Sequence, residues 1–174
     1  MNNNRKSIKF IVLSGLMAAI YVVLTLPMAQ FAFGPIQFRL AEVLTVIPAF
    51  SFAGIPGVTL GCFLANLLNP GNLGPIDIIG GTLATLIAGF LSTIIGKRNK
   101  YLSIIPPIVV NGIIVGAYLP FLLAEAGTKV TIPMVLISML SVAASEAVLL
   151  IVLGIPFIIV INRTPKIKAT LENL

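Results

Sequence analysis

Histidine and tryptophan are absent from this 174-residue chain, cysteine occurs once, and only five residues are acidic. Without histidine the chain lacks the side chain that most often does acid–base work at neutral pH and most often binds metals. With no histidine and one thiol, no catalytic or metal-ligating residues are expected. The single Cys62 excludes an intramolecular disulfide. Set in an apolar run, it is expected to be a small buried packing residue. Charge of either sign is scarce too, at 9% against 58% hydrophobic residues. The mean hydropathy of +1.11 lies outside the range of soluble domains, because a soluble fold of this length cannot shelter so much apolar surface from water. No Gly-x-x-x-x-Gly-Lys-[Ser/Thr] run is present, so a nucleotide-driven process would need its motor on another chain.

What the chain does have is long apolar segments. At about 20 residues per helical span, residues 1–174 are expected to form one integral membrane domain: an all-α bundle of six transmembrane helices. The spans are expected at about 8–29, 40–52, 58–68, 76–95, 102–123 and 132–161, with spans 2 and 3 too short to cross comfortably. Those two alternatively form one re-entrant hairpin. The N-terminal basic cluster followed by an apolar run has the outline of a signal peptide. That run is too long and lacks a clean small-residue cleavage site, so it is expected to stay as a first span. Turns are expected at Gly34–Pro35, at Ala53–Gly57 and along Asn69–Pro75. Pro156 is expected to bend the last span.

The basic residues sit at segment edges, which reads as topology and not as a nucleic-acid surface. Nine of the eleven, Arg5, Lys6, Lys9, Lys97, Arg98, Lys100, Arg163, Lys166 and Lys168, fall on the two ends and the even loops. Arg39 and Lys129 fall on the odd loops. That bias predicts a multi-pass protein of the cell membrane with both termini cytoplasmic. Small residues recur at four-residue spacing, as in Gly57/Gly61, Gly81/Thr85/Gly89 and Gly112/Gly116, where they let helices approach closely. Span 1 carries two such ridges, Ser14/Ala18 and Gly15/Ala19, enough to pack inside the bundle and also to dock another membrane protein.

Carboxylates inside these segments are the sharpest signal. An ionisable group in a span costs roughly 2.5–3.5 kcal/mol on insertion scales, yet Glu42, Asp77 and Glu146 all interrupt apolar runs. In the expected topology they share the outer half of the bundle with Gln37, Arg39, Asn66, Asn69 and Asn111. Short, proline-interrupted segments beside such groups point to a binding site. Bland roles compete: a local Arg39–Glu42 ion pair three residues apart, and Asp77 capping the start of span 4. As a site, acids and amides suit a polar heterocycle with an N–H-rich or cationic edge. Asp77 is the first choice for that edge. Asn66, Asn69 and Gln37 would serve the carbonyl side, and Phe31, Phe33, Phe38 and Tyr118 would flank the ring.

The stretch Gly34-Pro35-Ile36-Gln37-Phe38-Arg39-Leu40-Ala41-Glu42, together with Ala65-Asn66-Leu67 and Asp77-Ile78-Ile79-Gly80-Gly81-Thr82, resembles the QueT family of queuosine-precursor transporters. These are substrate-binding S components of energy-coupling factor transporters. The Gln-x-Arg-x-x-Glu run is the specific part, and the resemblance extends over roughly residues 19–116. It implies a six-helix, non-enzymatic protein that captures a 7-deazaguanine precursor or queuine from outside. It also implies a membrane scaffold partner (the energy-coupling T protein) and two ATPase subunits that use the ATP, with no cofactor in this chain. The scaffold would contact the small-residue face of span 1 at Ser14, Gly15, Ala18 and Ala19. Three alternatives stay open: an S component for another vitamin or nucleobase, a self-contained proton-coupled transporter, and a membrane enzyme using Glu146 and Asp77 as acid and base.

Overall fold

In the computed structural model, which describes residues 3–33, 37–69, 71 and 73–172, every regular element is helical. Helix α1 (Asn3–Thr25) is prolonged by a 3₁₀ turn at Leu26–Met28 and the short α2 (Ala29–Ala32). A ten-residue 3₁₀ helix, Leu40–Ala49, precedes α3 (Gly54–Leu68) and α4 (Pro75–Arg98). A 3₁₀ segment, Lys100–Ile104, leads into α5 (Ile105–Leu123). Then come α6 (Ile132–Leu149), a π turn at Leu150–Gly154, α7 (Ile155–Arg163) and α8 (Pro165–Glu172).

Four apolar runs are long enough to cross a bilayer: Asn4–Ala32, Pro75–Arg98, Lys100–Leu123 and Ile132–Arg163. The other two expected spans are helical and apolar but shorter. At about 2.0 Å per residue the 3₁₀ helix covers roughly 20 Å, and α3 at about 1.5 Å per residue covers roughly 22 Å. Both fall short of a hydrocarbon core of about 30 Å. The expected α-helical span at 40–52 is corrected to a 3₁₀ helix ending at Ala49. Its residues are β-branched or proline at Val43, Thr45, Val46, Ile47 and Pro48. An α-helix there would set the Pro48 ring against the carbonyl one turn back. The turn expected over residues 53–57 is shorter and earlier, because Gly54 N–H already bonds Ser51 O at 2.9 Å and α3 begins there. Pro56 then occupies the first turn of α3, where its missing N–H is harmless. Gly34 and Pro35, and Pro70 and Asn72 of the second expected turn, lie outside the described residues. Gly74 opens α4 with φ of 89°, a backbone conformation that glycine alone adopts without strain.

The bundle is apolar outside and polar within. Ile8, Ile11, Val12, Ile79, Ile94, Ile132 and Leu140 are exposed on the long helices, while Glu42, Asp77, Asn66 and Glu146 are buried. That inversion suits a hydrocarbon surround and no aqueous one, and marks a multi-pass membrane protein. Packing relies on the small-residue ridges. A methyl group added at Gly57 would stand 2.7 Å from the Met17 side chain, and one at Gly61 would stand 3.2 Å from Ala18 Cα, so α3 lies directly on the Ser14/Ala18 ridge of α1. Gly112 likewise approaches Ala143 of α6, where an added methyl would come within 2.8 Å. Carbonyls at the end of the 3₁₀ helix are satisfied from other elements. Thr93 Oγ1 donates to Pro48 O at 2.9 Å, and Lys100 Nζ donates to Ala49 O. Where a bend was expected at Pro156, a π turn precedes the proline, one helical turn beyond Glu146.

Candidate functional site

The residue types that cannot face lipid converge on one place. All eight expected solute-site residues are buried, none more than 6% exposed. Gln37, Arg39, Glu42, Asn111 and Glu146 line a narrow cavity together with Gly81, Val115 and Val142. The 3₁₀ helix makes one wall. Its three-residue repeat sets Glu42 and Thr45 on one edge, and Thr45 Oγ1 donates to the Glu42 carbonyl at 2.6 Å. Helices α5 and α6 make the other wall, with Asn111 Nδ2 reaching Glu146 Oε1 at 3.4 Å. Only about 10 Å³ is open to the centre of a water molecule, room for one water at most. A ring-sized solute enters only if these walls part.

Glu42 is gripped from one side. The Tyr21 hydroxyl, on α1, donates to its Oε1, while no donor reaches Oε2 and the carboxyl lies beside Glu146 and Asn111. Further buried polar atoms are also unpartnered: Gln37 Nε2, Arg39 Nη2, Asn66 Oδ1 and Asn69 Nδ2. Buried polar groups in a native protein are nearly always hydrogen-bonded. Three of these atoms, Gln37 Nε2, Arg39 Nη2 and Glu42 Oε2, belong to residues on the wall of one cavity, and together they mark a place where something else supplies the partners.

Arg39 is the buried cation. Its Nε donates to Ala32 O at 3.0 Å, its guanidinium lies 4.6 Å from the centre of the Phe33 ring, and Nη1 lies 3.9 Å from Cys62 Sγ. Its ionic partner is Asp77, with Nη2 to Oδ1 at 3.9 Å. This corrects the expected local pair with Glu42: both residues are buried in the same region, but Glu42 is engaged by Tyr21. The expected capping role of Asp77 is corrected as well. Gly74 caps α4, with no side-chain cap bond. Asp77 Oδ1 instead accepts from the Tyr118 hydroxyl at 2.8 Å, and the Asp77 carbonyl accepts from Asn66 Nδ2 at 3.0 Å.

Three expected site residues thus stand behind the cavity and not on its wall. Asp77 backs Arg39. Asn66 sits against Gly81, where an added methyl would come within 2.7 Å of Asn66 Nδ2. Asn69 ties its loop through Oδ1 to the Gly71 N–H at 3.0 Å. The expected aromatic flanks are also elsewhere: Phe33 lies under Arg39, Tyr118 holds Asp77, and Phe31 is exposed. Val115 and Val142 take the flanking positions. Sequence reasoning missed Tyr21; Cys62 is wholly buried in the apolar core, as expected, and also lies against Arg39 and Asn66. A phenol in the middle of an otherwise aliphatic first span was the one available signal for Tyr21.

On α1 the two ridges divide. Ser14 and Ala18 are buried against α3, and Ser14 Oγ donates to Ala53 O at 3.0 Å. Gly15 and Ala19 are exposed, with nothing within 4 Å of a methyl placed at Gly15.

Comparison with known proteins adds a second, independent line. The family described as QueT transporter matches residues 11–163, well beyond the stretch that carries the sequence motifs. A curated protein, the "Queuosine precursor transporter QueT" of Lactococcus lactis subsp. cremoris (strain MG1363), is 36% identical over 92 residues, covering 52% of this chain and 53% of that protein. The similarity thus spans about half of the relative's length. No solved structure matches the chain.

Proposed function

The chain belongs to the QueT transporter family, and on that premise we propose that it is the substrate-capture subunit of an uptake transporter for a queuosine precursor, a 7-deazaguanine base or queuine. The observation that carries this reading is the narrow cavity with acids, amides and one arginine on its wall, three of whose residues hold buried polar atoms without partners. A guanine-type base offers a ring N–H beside an exocyclic amine, and a carbonyl next to them. Glu42 Oε2 and the Glu146 carboxyl accept from the first two, in charge-assisted bonds about twice as strong as neutral ones. Gln37 Nε2 and Arg39 supply donors. Asp77, the choice made from sequence, gives up the N–H edge to these two acids and supports Arg39.

Energy would come from outside the chain. A membrane scaffold protein and two ATPases are the proposed partners, with the Gly15/Ala19 face of α1 as the docking surface, since Ser14 and Ala18 are already used inside the bundle. This is a transporter subunit and not an enzyme. The direct test is mass spectrometry of the solute retained by the purified protein, followed by calorimetric titration with 7-deazaguanine. Retention of a purine-like base with saturable binding is expected; an unrelated vitamin in the retained fraction overturns the substrate assignment. Two buried carboxyls in one cavity also favour a second reading, proton-coupled transport without ATPases. Uptake into vesicles holding this chain alone, driven by a pH gradient, would establish that reading in place of the first.

A further inference from the structure

We propose that Arg39 is the specificity-determining residue that reads the ring carbonyl of the bound base, and so fixes which way round the base lies. This rests on the heterocycle reading above and goes beyond it, to orientation and to the choice among related bases.

A guanidinium carries five N–H donors in one rigid plane. In Arg39 most of that plane is already spoken for. Nε is bonded to Ala32 O at 3.0 Å, Nη1 points at Cys62 Sγ, and Phe33 lies 4.6 Å below. These contacts fix the plane without using Nη2. Asp77 balances the charge, but its 3.9 Å separation is too long for a hydrogen bond, and Nη2 has no acceptor. A merely structural buried pair would close to a bidentate contact at about 2.7–2.9 Å. Asp77 stands off at that distance while its Oδ1 accepts from the Tyr118 hydroxyl at 2.8 Å. Asp77 and Tyr118 are therefore positioning residues: they neutralise and aim the cation while leaving one N–H free.

Arg39 and Glu42 line the same cavity, and each keeps one atom without a hydrogen-bond partner, a donor in Arg39 Nη2 and an acceptor in Glu42 Oε2. A guanine-type base placed between them has one favourable orientation, carbonyl to Arg39 and N–H edge to Glu42. The reverse would set carbonyl against carboxylate.

The test compares 7-deazaguanine with its 6-thio analogue, which keeps the N–H edge and replaces the carbonyl oxygen by a weakly accepting sulfur. By calorimetry the wild type is expected to prefer the oxo base by about tenfold or more. In Arg39→Gln that preference should shrink to within about twofold, while Glu42→Gln should weaken both ligands and keep the preference. If Arg39→Gln does not purify folded, the double variant Arg39→Gln with Asp77→Asn removes the buried pair together and gives the same comparison. A wild-type preference near one overturns the assignment, as does a preference that survives loss of Arg39. Failure of the wild type to bind either base is a separate result, and it removes the heterocycle reading on which the inference stands.

Discussion

Glu42 and Glu146 differ from Asp77 in what their removal should do. Glu42→Gln and Glu146→Gln keep volume and replace an acceptor on the cavity wall by a group that also donates. Each should weaken 7-deazaguanine binding about tenfold to a hundredfold, matching the roughly 1–3 kcal/mol cost of an unpaired buried group, with thermal stability little changed. Asp77→Asn leaves Arg39 as an uncompensated buried cation. It should lower stability as well as binding, toward the roughly 3–5 kcal/mol seen when a buried pair loses one member. Cys62, the only cysteine and wholly buried, provides the readout, since a thiol-reactive dye labels it only on unfolding. Equal melting of the three variants would show that Asp77 does not support Arg39. The acids were legible in sequence because their insertion cost is large. Their division of labour was not, because it depends on Tyr21 and Tyr118, which lie far from them along the chain.

Helix α1 has two faces with opposite expectations. Gly61→Leu would drive a side chain into Tyr21 and Ala18, and overpacking of this kind typically costs about 1–3 kcal/mol. Because Tyr21 also holds Glu42, that variant should lose solute binding together with stability. Gly15→Leu with Ala19→Leu meets open space. The protein should fold and bind solute as before, yet fail to support uptake in cells if this face docks the scaffold. Normal uptake by that double variant would remove the face from the coupling interface. The ridges themselves were readable from four-residue spacing. Which of the two in α1 faces inward was decided by the glycines of α3. The 3₁₀ form of Leu40–Ala49 was less readable, since a short apolar run with a proline near its end suits either helix type. Its carbonyls are tolerated in an apolar setting only because Thr93 and Lys100 reach them from other elements.

At the scale of the whole molecule, the charge bias predicts which side of the membrane holds the ends. Arg39 is buried and committed to Asp77, so it drops out of the loop tally and leaves Lys129 as the one basic residue on the odd loops. The bias toward cytoplasmic termini is thereby sharpened. Four long runs, with a short pair that either crosses or returns, predict both ends on one side. With Asn3→Cys and Ala126→Cys made separately, a membrane-impermeant thiol reagent applied to intact cells should label position 126 and spare position 3. Labelling of position 3 from outside would invert the topology and move the cavity to the cytoplasmic half.

The all-helical membrane class, the long apolar runs and the burial of the polar residues were legible in the sequence alone. Each follows from a transfer cost that is local and large: apolar residues leave water, and carboxylates resist leaving it. Where the polar residues meet was decided only by the tertiary structure. Residues from α1, the 3₁₀ helix, α3, α4, α5 and α6 must come together before Arg39 finds Asp77, Glu42 finds Tyr21, and three residues of one cavity wall are left with unpartnered polar atoms. Pairing between distant residues is settled by how helices pack. That packing rests on glycines whose partners no local pattern names.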